Sequence, residues 1–258
     1  MDEWVGRNIL VTGASRGIGK AICEELVRHG LTVIGVARDV TDVEQAAIHW
    51  KSDGLPGSVV PIKCDISDPD AIKHMFTNIK ADPDLEGVDV LVNNAAVAMA
   101  EPILTGDPAM WKLMMETNIL GPAVLTQEVV NSLAERGVDT GHIIFINSLA
   151  GHRVIPGNKE LHMYSVTKFA LRSLLEGVRL ELRARDSRIR VSAISPGVVE
   201  TDIFLKLFPK DEDEGRKYLS ERKFLEGHDI AKAVTYILSQ PPHVQVHDLL
   251  VRSTEQIP

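Results

Sequence analysis

Cysteine, excess positive charge and long apolar runs are all scarce in this sequence. Its 258 residues include two cysteines, Cys23 and Cys64, whose spacing fits neither a metal site nor a redox motif, so we expect reduced thiols inside a cell. The formal net charge of -8 argues against nucleic acid as a primary ligand, because phosphate binding needs a basic surface. No apolar run is long enough to span a membrane, and the acidic first residues lack the apolar region of a signal peptide. We therefore predict a cytoplasmic protein.

The composition that remains is that of a globular protein. Apolar residues make up 44% of the chain and charged residues 25%, which is enough for a large core and argues against disorder. The length is within the range of one large α/β fold, and no linker or internal repeat divides the chain. We predict a single domain over residues 1–258.

One stretch near the amino terminus, residues 8–22, is typical of a strand followed by a glycine turn and a helix. The apolar run 9–11 predicts a buried strand, and Gly13, Gly17 and Gly19 follow it. A helix that begins after such a turn offers free N–H groups and a partial positive charge to an anion. The spacing G-x3-G-x-G differs from the G-x-G-x-x-G dinucleotide fingerprint. The glycines alone are therefore also compatible with a plain connection in any α/β protein.

Basic residues at the end of the next strand, 31–37, indicate which dinucleotide would bind. An acidic residue at this strand end accepts hydrogen bonds from the ribose of NAD, but here Ala37 is followed by Arg38. Arg16 in the glycine turn can reach the same place. Two guanidinium groups favour the 2′-phosphate of NADP(H). Asp39 would repel that phosphate if it pointed inward, and the alternative is that both arginines are solvated surface residues.

Two further strand ends carry polar or small residues that suit a cofactor. The predicted strand 59–64 is followed by Asp65, which can bind the adenine amino group or cap the next helix. The predicted strand 88–92 is followed by Asn93 and Asn94, whose amides can support the turn, and by small alanines that leave room for a ring.

Asn118 is a polar residue within an apolar helix that we predict over residues 105–134, with an interruption near Gly121. One interpretation is a satisfied core amide. The other is a kink residue that holds a water beside the active site.

A serine, a tyrosine and a lysine form the candidate reaction centre. Ser148 follows the predicted strand 142–147, and Tyr164 and Lys168 are spaced so that they share one face of a helix. A nearby lysine lowers the pKa of a phenol electrostatically, which suits proton transfer to or from a carbinol oxygen. Ser148 can donate a hydrogen bond to the same oxygen.

The carboxyl-terminal part predicts the far wall of the cavity. The strand 190–194 is followed by Pro196 and Gly197, which can wall a nicotinamide pocket, and Thr201 can reach the carboxamide or the diphosphate. Residues 202–225 are interpreted as a movable lid with an apolar inner face, or alternatively as a solvated surface helix. A last strand is predicted over residues 245–251.

Together these motifs resemble the short-chain dehydrogenase/reductase family over nearly the whole chain. The resemblance rests on seven features of the sequence: residues 12–19, residues 93–96, Asn118, Ser148, Tyr164, Lys168 and residues 196–197. It implies an α/β fold, a single Rossmann-type, doubly wound, parallel seven-stranded sheet with helices on both faces. It also implies a cofactor-binding half at about residues 6–147 and a catalytic and substrate half at about residues 148–258.

The resemblance assigns roles to individual residues. It implies that Tyr164 is the general acid/base, that Lys168 binds the nicotinamide ribose and tunes the tyrosine, that Ser148 orients the carbonyl and that Asn118 holds a relay water. It implies NADP(H) as cofactor and no metal. The cofactor contacts we expect are Gly13, Ser15, Arg16, Gly17, Ile18, Gly19, Arg38, Asp39, Asp65, Ile66, Asn94, Ala95, Ala96, Tyr164, Lys168, Pro196, Gly197, Val199 and Thr201.

One departure from the family pattern concerns the substrate. Tyr164 follows Ser148 by sixteen positions, a few more than is usual, and the extra residues within 152–161 should reshape the substrate pocket. This longer loop and residues 241–248 and 252–256 resemble a narrower group of the family. That resemblance implies a small lipophilic alcohol or carbonyl substrate, such as a ketosteroid or farnesol.

Two questions stay open at this level. Relatives are commonly homodimers or homotetramers, and the apolar stripe over residues 171–182 is wide enough for a partner helix, although it can also be intramolecular core. The rival function is a non-catalytic NADP(H)-binding redox sensor, which would have no need for Tyr164 and Lys168. An epimerase or dehydratase would usually need a larger carboxyl-terminal domain.

Overall fold

The computed structural model describes residues 1–154, 158–205 and 212–256, and its centre is a parallel sheet. Seven strands lie in the order β3-β2-β1-β4-β5-β6-β7, and every neighbouring pair is parallel. The strands are β1 Asn8–Thr12, β2 Thr32–Ala37, β3 Ser58–Lys63, β4 Val90–Asn93, β5 His142–Ile146, β6 Arg190–Pro196 and β7 Asp248–Val251. The strand order reverses between β1 and β4, which is the doubly wound arrangement that the sequence predicts.

Helices cover both faces of this sheet. They are α1 Gly17–Arg28, α2 Thr41–Ser52, α3 Pro69–Ala81, α4 Pro108–Met115, α5 Gly121–Glu135, α6 His162–Ala184, α7 Asp202–Leu205, α8 Glu212–Ser220 and α9 Gly227–Leu238. Short 3₁₀ turns lie at Asp2–Trp4, Leu149–Gly151 and Lys159–Leu161. No helix in the described ranges is both long and apolar enough to cross a bilayer.

The pleat of the strands divides the apolar residues between two cores. Ile9 and Val11 of β1 point into a core formed with α1, α2 and α9. Leu10, between them in sequence, points into the core on the opposite face, which α3, α5 and α6 complete. Because both faces of β1 are fully buried, the strand is a continuous apolar run with no alternation.

The helix predicted over 105–134 is divided differently from the expectation. It begins at Pro108, where the side chain of Asp107 accepts a hydrogen bond of 2.8 Å from the backbone of Ala109. The interruption is a turn of π-helix, Glu116–Leu120, and Gly121 lies after it as the first residue of α5. Gly121 packs so closely on the carbonyl of Ile66 that a Cβ there would overlap the oxygen. The glycine therefore serves the contact between elements, and the π-turn makes the kink.

The last strand is shorter than the predicted 245–251. Before β7 begins at Asp248, the side chain of Gln245 accepts a hydrogen bond of 2.9 Å from the backbone N–H of Val191 in β6. A side-chain amide thus replaces the backbone pairing that an extended Gln245 would have supplied.

The amino-terminal turn is attached to the edge of the sheet where the strands begin. The indole of Trp4, which is 2% exposed, donates a hydrogen bond of 2.9 Å to the carbonyl of Leu238 at the end of α9. Its ring lies 6.5 Å from that of His142, the first residue of β5, and 5.6 Å from the guanidinium carbon of Arg190, the first residue of β6. Trp4 therefore closes the core at the end of the sheet away from the strand carboxyl termini.

Part of the predicted lid falls beyond what the structure describes. Residues 206–211 within the segment 202–225, and residues 155–157 within the long loop after Ser148, lie outside the described residues. The flanking helices α7 and α8 are described.

Candidate active site

A cavity of about 540 Å³ opens where the strands end. Its walls come from the loops that follow β1 to β6, which is the usual place for a ligand in a sheet whose strand order reverses. All the residues predicted to contact cofactor line it except Gly19, and Ser148 lines it too. Gly19 and Asn118 are absent from its walls, and both have structural contacts that explain their presence in the motifs.

Hydrogen bonds join the loops after β1 and β4 at the floor of the cavity. The hydroxyl oxygen of Thr12 accepts from the backbone N–H groups of Asn94 and Ala95, both at 3.0 Å. The amide of Asn94 donates to the carbonyl of Thr12 at 2.8 Å. A Cβ on Gly13, whose φ is +69°, would lie 3.0 Å from the Cα of Ala95. The predicted supporting role of Asn94 is therefore confirmed, and Gly13 permits the close approach.

The third glycine of the turn serves the packing of α1. A Cβ on Gly19 would overlap the carbonyl oxygen of Gly13 and lie 2.6 Å from the amide nitrogen of Asn94. Gly19 thus allows the helix to start directly against the β1 loop. We predicted a cofactor contact for it, and the structure instead places it behind the cavity wall.

The amino terminus of α1 presents free donors to the cavity. Within the described residues Arg16, the N-cap, makes no side-chain cap hydrogen bond, and Gly17 and Ile18 line the cavity. These N–H groups and the helix dipole suit a diphosphate. The guanidinium of Arg16 lies 3.2 Å from the carboxylate of Asp202 on α7, and both side chains are more than half exposed. Such an exposed ion pair contributes little to stability.

Asp39, an acidic residue that lines the cavity after β2, already accepts hydrogen bonds from within the protein. Asp39 accepts hydrogen bonds from the backbone and the hydroxyl of Thr41, at 3.0 and 2.7 Å, and these bonds hold the pKa of Asp39 below its usual value. The Asp39 carboxylate is thus held by the start of α2 and stays ionised, and it lines the cavity together with Arg38.

Asp65, after β3, accepts the same pair of hydrogen bonds from the residue two positions on as Asp39 does after β2. It accepts from the backbone and the hydroxyl of Ser67, at 3.0 and 2.7 Å. Burial acts to raise the pKa of Asp65, but the bonds from Ser67 and the charge of Arg38 outweigh it and the pKa is lowered. The cap of α3 is Asp68, whose side chain accepts from Asp70 at 2.9 Å, so Asp65 stays available at the cavity wall.

Ser148, Tyr164 and Lys168 meet at one wall of the cavity. The hydroxyl of Ser148 lies close enough to the phenol of Tyr164 to act on its pKa as a hydrogen-bond partner. Lys168, one turn further along α6, is 3% exposed, and its Nζ lies 5.7 Å from the centre of the Tyr164 ring. The same Nζ donates a hydrogen bond of 2.9 Å to the carbonyl of Ile146 at the end of β5. The i,i+4 spacing thus brings the two groups together as predicted.

Burial has the largest effect on the protonation of this pair. It raises the pKa of Tyr164 to about 12, and the hydrogen bond from Ser148 acts in the opposite direction but is weaker. Burial also lowers the pKa of Lys168 to about 7. The prediction that the lysine charge lowers the phenol pKa is therefore wrong for the protein alone, because desolvation favours the neutral form of both groups.

The side chain of Asn118 is fully used within the protein. Its amide accepts from the N–H and donates to the carbonyl of Val97, both at 2.8 Å, and donates to the hydroxyl of Thr167 at 3.1 Å. Thr167 in turn donates to the carbonyl of Tyr164 at 2.7 Å. Asn118 is thus the satisfied core amide of our first interpretation, and it ties the β4 loop to the helix that carries Tyr164. Its neighbour Thr117 in the π-turn lines the cavity.

The loop after β6 completes the wall and is held by a residue far away in sequence. The side chain of Gln256 accepts a hydrogen bond of 3.0 Å from the N–H of Val198 and lines the cavity. A Cβ on Gly197 would overlap the same side-chain oxygen. Pro196, Val199 and Thr201 line the cavity beside it, as predicted.

Sequence reasoning missed several cavity residues. Asn147 and Arg153 flank Ser148 and its turn, and their polarity beside a reaction centre was a usable signal. Leu161 lies in the loop within 152–161 that was predicted to reshape the pocket, and Phe204 lies in the predicted lid, but neither was named as a cavity residue. Gln256 gave no signal, since only the folded chain brings it to the cavity. Among the described residues no cluster of three His, Cys, Asp or Glu side chains could hold a metal ion.

This combination of fold and site is found in a known family of oxidoreductases. The family model described as short chain dehydrogenase matches residues 7–212. The chain therefore belongs to the short-chain dehydrogenase/reductase family.

Individual relatives match over their full length. The chain is 45% identical to Dehydrogenase/reductase SDR family member 11 of Gallus gallus over 257 residues, 100% of each protein. It is 39% identical to Farnesol dehydrogenase of Aedes aegypti, with 98% of each covered. Among solved structures, the closed form of serine dehydrogenase complexed with NADP+ has a TM-score of 0.86 at 27% identity, covering 97% of this chain and 96% of the other. The narrower resemblance noted in the sequence is confirmed.

The buried Lys168 predicts a pH dependence of stability. Between its folded pKa of about 7 and its ordinary value of 10.5, the unfolded chain binds more protons than the folded chain, so the free energy of unfolding should rise with pH. We expect a rise of roughly 1 kcal/mol per pH unit above pH 7, which Lys168→Met should abolish. Urea unfolding between about pH 7 and 8.5 measures it, below the range where the raised pKa values of Cys23 and Cys64 act in the opposite direction. Equal slopes in the two proteins would contradict the prediction.

Proposed function

We propose that this protein is an NADP(H)-dependent oxidoreductase that interconverts a lipophilic primary or secondary alcohol and its carbonyl compound. The observation that carries the proposal is that Ser148 and Tyr164 line the same cavity, with the buried Lys168 beside the phenol ring. A site that only binds a dinucleotide has no need of this arrangement.

The residues along the cavity fit NADP(H), which when bound would supply or accept a hydride at its nicotinamide ring. The turn of Gly13 to Ile18 would hold the diphosphate on the N–H groups of α1. Arg16 and Arg38 would bind the 2′-phosphate, with two guanidinium groups against the one Asp39 carboxylate that also lines this part of the cavity. Asp65 and Ile66 lie where an adenine would lie, and Ala95 and Ala96 leave space for its ribose. The NADP+ complex of the similar serine dehydrogenase agrees with this choice.

The other end of the same cavity would hold the nicotinamide. We propose that Pro196, Gly197 and Val199 form its wall and that Thr201 binds its carboxamide or the diphosphate. Lys168 would bind the nicotinamide ribose, which requires its Nζ to exchange or share the hydrogen bond to Ile146.

The proton chemistry follows from the protonation of the pair. In reduction, the carbonyl oxygen of the substrate would accept hydrogen bonds from the hydroxyl groups of Ser148 and Tyr164. With a pKa of about 12, Tyr164 carries its proton at neutral pH and can transfer it to the alkoxide that forms as the hydride reaches the carbon. The tyrosinate left behind is stabilised by Ser148 and by a proton on Lys168. Asn118 would act as a positioning residue, through Val97 and Thr167.

The lipophilic nature of the substrate is supported by the wall beside Ser148. Apolar side chains line the cavity there, among them Met99, Leu149, Leu161 and Phe204. The name of the related Farnesol dehydrogenase points in the same direction. A ketosteroid or a farnesol-like alcohol is therefore the first substrate to test.

Tyr164→Phe should lower kcat by roughly a hundredfold to ten-thousandfold, because it removes the transferred proton and leaves the ring. Fluorescence titration should give an NADPH affinity close to that of the wild type. Tyr236→Phe, on an exposed tyrosine of α9 outside the cavity, is the matched control and should keep full activity. Near-normal turnover by Tyr164→Phe would refute the assignment. NADPH binding by the wild type without turnover of any ketone or alcohol would instead favour the redox sensor.

The cofactor preference should depend on Arg16 and Arg38. The double substitution Arg16→Leu with Arg38→Leu should weaken NADPH binding by about tenfold to a hundredfold, because charge-assisted hydrogen bonds to the 2′-phosphate are lost. The affinity for NADH should change little. Lys20→Met, an exposed cation of α1 that does not line the cavity, is the control. Equal losses for both dinucleotides, measured by the same titration, would argue against recognition of the 2′-phosphate.

We also propose that the chain forms a homodimer or homotetramer through α6. This helix exposes Val166, Phe169 and Leu180, the last at 59%, although it is packed on the sheet by its other face. Light scattering should show two or four times the chain mass, and Leu180→Asp should lower that mass. Ile48→Asp, at an apolar residue of α2 that is 71% exposed, should leave it unchanged. A monomeric wild type would contradict the proposal.

The cytoplasmic location stays a prediction. Cys23 and Cys64 are both free and buried, which agrees with a reducing compartment.

A further inference from the structure

A buried asparagine and a half-buried arginine at the substrate end of the cavity carry buried polar atoms that have no partner in the described part of the chain. In the described part of the chain, the unpaired buried side-chain atoms that lie at the cavity belong to Asn147 and Arg153. Both amide atoms of Asn147, which is 3% exposed, and the Nε of Arg153 make no hydrogen bond. Buried polar groups are nearly always paired in folded proteins. Two exceptions on one wall, on either side of Ser148, indicate that a ligand completes them.

Arg153 also lacks a counter-ion. Its guanidinium makes no ion pair or hydrogen bond within the described residues, whereas Arg172 nearby donates to the carbonyl of Gly151 at 3.2 Å. The walls around Arg153 contribute Leu149, Ala150 and Leu161. A half-buried guanidinium with an unpaired Nε that lines a cavity with apolar walls favours an anion that can accept hydrogen bonds from its planar edge.

The acidic residues of the cavity are placed elsewhere. Asp39 and Asp42 follow β2 and Asp65 follows β3, which are three and four strands from β5, or roughly 14 Å and more at the usual strand spacing. Asp202 is closer in the sheet order, but it pairs with Arg16. None of these carboxylates is thus positioned to neutralise Arg153.

The phosphates of the proposed cofactor also belong to a different part of the cavity. The diphosphate site lies at α1, which follows β1, and β1 is separated from β5 by β4. Arg153 instead comes five residues after Ser148 and shares a wall with Tyr164. A ligand that meets Arg153 is therefore the compound whose carbonyl group reacts at Tyr164.

We propose that Arg153 binds a carboxylate on the substrate, remote from the reacting carbonyl group. This inference rests on the proposed function and adds to its lipophilic substrates a preferred class of amphipathic oxo acids and hydroxy acids, with an apolar body between the carboxylate and the reacting carbon. Arg153 selects among substrates by binding the carboxylate at one end of the molecule, while Ser148 and Tyr164 act on the carbonyl group at its other end.

A series of methyl-ketone carboxylic acids of increasing length, each paired with its methyl ester, tests the proposal with NADPH consumption as the readout. The wild type should prefer the best acid over its ester by about tenfold or more in kcat/KM, as expected for a hydrogen bond to a charged group. Arg153→Leu should abolish this preference by raising KM for the acid, with kcat/KM for the ester within about twofold of the wild type. Arg153→Lys should retain part of the preference for the acid, since it keeps the positive charge but loses the planar guanidinium that can donate two parallel hydrogen bonds to a carboxylate.

Two controls separate selection from damage. Arg188→Leu, at an arginine that pairs with Asp139 outside the cavity, should keep the wild-type preference. The affinity for NADPH and the melting temperature should be the same in all variants. If Arg153→Leu turns over the acid and the ester equally poorly, or if the wild type prefers the ester, the carboxylate site is overturned while the proposed function stays intact. A wild type that reduces no ketone at all would overturn both.

Discussion

The hydrogen bonds between Thr12 and the β4 loop determine where the cavity can form. At this point the chain leaves β1 toward one face of the sheet and leaves β4 toward the other, so the two loops diverge and open a crevice. The Thr12 hydroxyl accepts from two successive N–H groups of the β4 loop, and Asn94 returns a bond to the Thr12 carbonyl. The two strands are thereby held in register up to the edge of the crevice. Gly13 and Gly19 remove the Cβ atoms that would prevent this contact.

Desolvation sets the chemistry at the other side of the same crevice. Lys168 lies almost fully inside the protein, and no carboxylate among the described residues pairs with it. Its hydrogen bond to Ile146 satisfies one of its donors. Burial makes the phenol of Tyr164 a weaker acid and the lysine a weaker base, so each tends to the uncharged state. A proton can then move between groups within the site while little net charge builds up there.

Much of the fold could be predicted from the sequence because local patterns determine it. The apolar runs of a doubly covered sheet and the glycine turn after β1 are visible residue by residue, as is the Tyr164–Lys168 spacing, and the seven parallel strands confirm the fold prediction. The direction in which a side chain points, and its distance from residues far away in sequence, depend on the tertiary fold and not on the local sequence. The interruption at Glu116–Leu120 is a π-turn, and Gly121 after it packs against Ile66, a residue far away in sequence. The pKa of Tyr164 depends on how many groups bury it, and no spacing reveals that.

The residues of the candidate site also divide into those whose position the local sequence predicts and those that only the tertiary fold places. Those on the loops directly after strands line the cavity, since parallel strands all end at one edge of the sheet. Asn118 lies instead in the π-turn between α4 and α5 and does not line the cavity, because its side chain turns to Val97 and Thr167. Gln256 reaches the cavity from the end of the described chain, and only the tertiary fold shows that it meets Val198.

The attachments of Trp4 and Gln256 have a practical consequence for anyone who handles this protein. Trp4 contacts the first residues of β5 and β6, whereas Gln256 contacts the loop just beyond the last residue of β6. Trp4 therefore lies at the end of the sheet where the strands begin, and Gln256 lies at the end where they finish. A purification tag or fluorescent label added ahead of Trp4 would extend away from the mouth of the cavity. A fusion that continues past Gln256 would start at the cavity wall and crowd the loop of Gly197 and Val198. Labelled forms for binding work should therefore carry the addition at the Trp4 side.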